Sequence, residues 1–140
     1  MHMKNYKTIL ASFSIIFLIS ACIKSEPALP DTVLTDLTIT QTTTPASVSA
    51  NQNIVSDVKM SGPNQCYRFA QFDVYQQSPL LYDVRAKASI PNPDKGNVNC
   101  APPVYKKDTV LSIPTHLTDK CVLRFYNGSQ LFKADTVQVN

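Results

Sequence analysis

The chain has 140 residues, the size of one domain, and its 44% hydrophobic against 16% charged residues allow a buried core and exclude a disordered composition. The formal net charge is +3, the basic residues are dispersed, and Lys106-Lys107 is the only adjacent basic pair, so no footprint for nucleic acid is present. Trp is absent and Glu26 is the only Glu, which leaves little equipment for acid–base chemistry.

The first 21 residues form a separate unit. Lys4 and Lys7 precede Ile9 to Ala21, thirteen uncharged residues rich in Phe, Ile and Leu. This is a basic n-region followed by an apolar h-region. As a helix it would reach only about 20 Å, against roughly 30 Å for a hydrocarbon core, so it is expected to be a cleaved signal helix rather than a spanning one. Removing it takes away two lysines and leaves a net charge of about +1.

The run ends in Leu18-Ile19-Ser20-Ala21-Cys22. An aliphatic residue, then small residues, then Cys resembles the lipobox of bacterial lipoproteins. The resemblance implies a diacylglyceryl thioether on Cys22 and an acylated amine, with acyl chains such as palmitate. One acyl chain holds only marginally to a bilayer and two hold stably, so such a terminus would stay membrane-bound. Residues 22–31 carry Pro27 and Pro30 and read as a semi-extended tether. No Asp follows Cys22, which favours the outer over the inner membrane. The expected organisation is a leader over 1–21, a lipidated tether over 22–31 and a folded domain over 32–140.

From Thr32 onward the apolar pattern has a period of two. Seven strands are predicted, near 33–41, 53–61, 66–76, 80–90, 104–113, 120–126 and 131–139. The clearest is 81–90, with Tyr82, Val84, Ala86, Ala88 and Ile90 on one face and Asp83, Arg85, Lys87 and Ser89 on the other. Cys121, Leu123 and Phe125 alternate in the same way. Asn127-Gly128 predicts a type I′ turn joining the last two strands as a hairpin. Turn chemistry recurs at Ser61-Gly62-Pro63-Asn64, Gln77-Ser78-Pro79 and 91–103, the spacing of a sandwich.

Pro45 to Ile54 resembles the opening of bacterial Ig-like domains, and Leu123 to Gly128 resembles their last hairpin. The fold class implied is all-β, an antiparallel Ig-like β-sandwich of about seven strands. Asp-Thr-Val occurs at Asp31, Asp108 and Asp135. It resembles an O-glycosylation acceptor of some bacteria, and it also suits a turn residue leading into a strand.

With Cys22 lipidated, Cys66, Cys100 and Cys121 remain in an oxidising compartment. Cys66 follows a turn and Cys100 lies in a loop, whereas Cys121 is in phase with a core face. This favours a Cys66–Cys100 disulfide, with Cys66–Cys121 as the alternative. No nucleophile motif, metal-ligand spacing or cofactor motif accompanies His116, so no catalytic residue, metal or cofactor is expected. The irregular stretch 91–103 carries Asn92, Asp94, Lys95, Asn97 and Asn99, a candidate recognition loop if pinned by a disulfide. Tyr67, Phe69, Phe72, Tyr75 and Tyr82 are expected mostly in the core. The function expected is a non-enzymatic binding module anchored in the bacterial envelope, with a membrane contact through its lipid and an envelope protein or glycan as partner. The alternative is an inhibitor or accessory subunit of an envelope enzyme, acting through 91–103.

Overall fold

Period-two alternation carries nearly all of the chain that the computed structural model describes, which is residues 27–96, 98–116 and 118–140. The expected leader, Cys22, the first part of the tether and Asn97 lie outside the described residues. Within these, nine strands form: β1 (Thr32–Asp36), β2 (Thr38–Thr43), β3 (Ser47–Val48), β4 (Asn53–Gly62), β5 (Arg68–Ser78), β6 (Leu81–Pro91), β7 (Tyr105–Pro114), β8 (Lys120–Asn127) and β9 (Gln130–Val139). A single 3-10 turn covers Pro93–Lys95.

Two sheets pack face to face. One is three-stranded, in the order β2-β4-β7; the other is six-stranded, running β6-β8-β9-β3. β5 pairs along β6 from Leu81 to Ser89, so β8 and β1 share its other edge, β8 against the first half and β1 against the second. The expected all-β sandwich is what the chain forms. Two pairings are parallel, β6 with β8 and β3 with β9, where only antiparallel neighbours were anticipated. The reason is local: the β5–β6 hairpin occupies one edge of β6, and β8 starts at the same end of the sheet as Leu81, so it runs alongside in the same direction.

Alternation sets the core. Val84, Ala86 and Ala88 of β6, Leu123 and Phe125 of β8, and Val137 and Val139 of β9 meet Ile54, Val58, Met60, Leu111 and Ile113 of the smaller sheet. Filling an interior with such side chains supplies roughly 25 cal/mol per Å² of apolar area removed from water. Tyr67, Phe69, Phe72 and Tyr82 pack against it half-buried, while Tyr75 stays exposed.

The first predicted strand divides in two. Leu37 is buried between β1 and β2, its N–H donates to Ala86 O at 2.9 Å, and the chain crosses there from the larger sheet to the smaller. The joint is closed by Asn127, whose Oδ1 accepts from Ile39 N at 2.7 Å and whose Nδ2 donates to Ile39 O at 3.1 Å. The expected β8–β9 hairpin is present, but its turn differs. Asn127 pairs with Gln130, leaving Gly128 and Ser129 as the central residues with φ of 60° at Gly128, the pattern of a type II′ turn. Asn127 keeps strand geometry because its amide is committed to Ile39.

Two of the three Asp-Thr-Val triplets lie inside strands rather than at their starts. Asp108 falls within β7 and Asp135 within β9. Asp135 accepts from Thr42 Oγ1 at 3.2 Å and Thr44 Oγ1 at 2.8 Å and pairs with Lys133 at 2.9 Å, so it ties the two sheets.

Candidate functional site

The strand registers give the sandwich two poles. At one, β6 and β4 end while β1, β5 and β7 begin, gathering residues 27–31, 63–68, 91–96 and 98–105. At the other lie the β5–β6 turn, residues 114–116 and 118–120, and the end of β9. Each pole carries part of the sequence-predicted chemistry.

At the first pole Cys66 and Cys100 form a disulfide, with Cα atoms 5.3 Å apart. The alternative partner, Cys121, is buried on β8 at the opposite pole and remains a free thiol. The phase of Cys121 with Leu123 and Phe125 decided this outcome. Gln65 stitches the loop further: its N–H donates to Ala101 O at 3.1 Å, and its Nε2 donates to Pro103 O at 2.9 Å and Val104 O at 3.2 Å. The Tyr67 side chain packs directly on the Gly62 backbone, since a Cβ at Gly62 would stand 2.6 Å from Tyr67 Cγ. A shallow cavity of about 310 Å³ lies between the disulfide, Tyr67, Pro93 and Val98.

The candidate recognition residues separate. Asn92 is only 3% exposed and serves the chain itself. Its N–H donates to Asp31 O at 2.9 Å, its Nδ2 donates to Pro30 O at 2.9 Å, and its Oδ1 accepts from Asp94 N at 3.0 Å. Lys95 pairs with Asp31 at 2.5 Å. These two residues fasten Pro30 and Asp31 to the loop. Asp94 and Asn99 are exposed, and Asn97 lies outside the described residues.

The second pole holds a more apolar cavity of about 200 Å³, lined among others by Pro79, Leu80, Tyr82, His116, Cys121 and Val139. His116, five residues before Cys121 in the chain, lines the same cavity. The thiol there is 2% exposed, and burial raises its pKa above the ordinary thiol value, which keeps it protonated and unreactive at neutral pH. Tyr82 is raised too, by burial first and by the neighbouring Cys121 second. His116 is exposed. Burial thus works against the lowered pKa that is one way of activating a cysteine nucleophile.

The outer face of the larger sheet carries a cluster that alternation alone did not reveal. The Arg85 guanidinium lies 5.6 Å from the Tyr75 ring and 5.1 Å from the Tyr126 ring, while its Nε donates to Gly128 O at 2.9 Å. Arg124 Nε donates to Asp83 Oδ1 at 2.6 Å, and that hydrogen bond is the main cause of its raised pKa. Asp83 is consequently buried although its side faces away from the core. The signal lay in register: parallel pairing sets Asp83 beside Arg124 and Arg85 beside Tyr126, and only the three-dimensional pairing supplies it.

No protein-family model, curated protein or solved structure matches the chain. The residues themselves must carry any functional reading. Among the described residues no group of three or more His, Cys, Asp and Glu is gathered in a way that would hold a metal ion.

Proposed function

We propose that the chain is a non-enzymatic lipoprotein of a bacterial envelope, lipidated on Cys22, whose Ig-like β-sandwich head serves as a binding module for an envelope protein or glycan. The outer membrane is favoured, since no Asp follows Cys22. The observation that carries the reading is the sequence Leu18-Ile19-Ser20-Ala21-Cys22 after a basic start and an uncharged run. Support comes from the way Asn92 and Lys95 hold Pro30 and Asp31 on one pole, the arrangement needed for a head borne on an N-terminal anchor. The head contributes surface rather than reactive groups: its free thiol is buried and protonated.

The test is fractionation. Wild-type protein is expected in the membrane pellet, and Cys22→Ala is expected to lose metabolic labelling by palmitate. Unchanged labelling in Cys22→Ala overturns the proposal. A second reading, an inhibitor or accessory subunit of an envelope enzyme, draws on the disulfide-pinned loop 91–103. Capture of partners from detergent-solubilised envelope, with and without that loop, separates the two. Loss of an enzyme partner on deletion favours the inhibitor.

A further inference from the structure

Three of the ten exposed large hydrophobic side chains among the described residues, Leu29, Val98 and Val104, lie at the pole where the chain comes in. Residues 98–104, Val-Asn-Cys-Ala-Pro-Pro-Val, carry no charge. They are nonetheless held in place, by Cys66–Cys100 and by the hydrogen bonds of Gln65 to Ala101, Pro103 and Val104. On this fixed tip Val98 and Val104 are 48% and 49% exposed, and Leu29 beside the fastened tether is 52% exposed. Of the charges around this tip, Asp31 and Lys95 pair with each other, Asp94 is exposed, and Arg68 and Lys106 border it beside Gln65 and Val104.

Chain length decides which pole can approach a bilayer. Pro30 is tied to Asn92 at the loop pole. Eight residue steps from Cys22 to Pro30 span at most about 28 Å even when fully extended. The head is longer than that: the ten steps of β6 from Leu81 to Pro91 alone cover about 33 Å. An anchor at Cys22 therefore cannot run back along the head and set the far pole on the membrane.

We propose that the uncharged, disulfide-pinned tip formed by Val98 and Val104, together with Leu29, rests in the headgroup–acyl boundary of the bilayer that holds Cys22. This rests on the lipoprotein reading above. Pinning matters because a rigid loop loses little conformational entropy when its apolar side chains leave water. The orientation turns the opposite pole, with the cavity beside Tyr82 and His116, away from the membrane and toward any partner.

The chain lacks Trp, so a single introduced Trp is a unique reporter. Val98→Trp, Val104→Trp and, at an exposed site of the far pole, Ser49→Trp are made in the full-length lipoprotein. Each is purified from membranes and reconstituted into phosphatidylethanolamine–phosphatidylglycerol vesicles containing lipid brominated on its acyl chains. The mass of Cys22 is measured in each sample. The expected result is at least about twofold quenching at positions 98 and 104 and none at 49, the depth of an interfacial residue. Equal quenching at all three sites, or none at any, with lipid present on Cys22 overturns the orientation and leaves the anchoring intact. Absence of lipid on Cys22 overturns the lipoprotein reading, and the orientation with it.

Discussion

The two poles of the sandwich use cysteine in opposite ways. At the loop pole Cys66 and Cys100 are bonded to each other, and this covalent closure together with the hydrogen bonds of Gln65 and Asn92 holds the backbone. At the far pole Cys121 lies under Tyr82, Leu80 and Val139 and acts as a small apolar side chain. The same element is a cross-link in one place and filler in the other. What separates them is strand phase: Cys121 is two residues from Leu123 on a core face, whereas the other two stand outside strands.

That contrast can be broken most forcefully at the disulfide. Replacing Cys66 and Cys100 together by Ala is expected to cost about 3–4 kcal/mol of stability, from the loop entropy released by opening a 34-residue separation. Cys121→Ala is expected to cost about 1–2 kcal/mol, the scale of deleting one buried heavy atom and leaving a small void. Urea denaturation at neutral pH compares them. Equal losses would show that the poles do not differ in how they are held.

The polar joints come next. Asn127→Ala strands the N–H and C=O of Ile39, a residue buried in the core, and is expected to cost about 1–3 kcal/mol. Asn92→Ala removes bonds at the edge of the domain and is expected to cost about 1–2 kcal/mol. Its distinguishing effect is local: residues 27–31 should become cleavable by protease while the sandwich remains resistant. Resistance of that segment in Asn92→Ala would contradict the fastening.

The smallest effect is on pH dependence at the far pole. Burial raises the Cys121 thiol in the fold, so the unfolded chain ionises first as pH rises. The stability this protonated thiol contributes is complete below the ordinary thiol value of about 8.5 and declines through the raised folded value. Tyr82 extends the same decline to higher pH. The urea midpoint of wild type should therefore fall above about pH 9, and Cys121→Ala should fall less. Identical alkaline profiles would place the titration elsewhere.

Much of this contrast was legible in the sequence. The alternation of Tyr82 to Ile90 and of Cys121 to Phe125 named the inward face of β6 and β8, because a period of two leaves each residue one choice of side. The same phase selected the disulfide. Apart from the β8–β9 hairpin, which the Asn127-Gly128 turn signalled, pairing partners were not legible, since alternation says which way a side chain faces and nothing about its neighbouring strand. The parallel β6–β8 contact, the Arg85–Tyr126 stack and the Asp83–Arg124 pair all depend on that neighbour. Asn127 shows a different failure: local turn preference pointed to positive φ, and two hydrogen bonds across the sheets held it in strand geometry instead. The candidate loop was visible as a whole, but not the division of labour by which Asn92 and Lys95 turn toward Pro30 and Asp31.

Intact mass of the mature protein extracted from membranes tests the central proposal most directly. The account predicts a chain beginning at Cys22 and carrying a diacylglyceryl group plus an amide-linked acyl chain, with one disulfide and one free thiol. A chain that retains Met1, or one that begins at Cys22 with an unmodified sulfur, would contradict it.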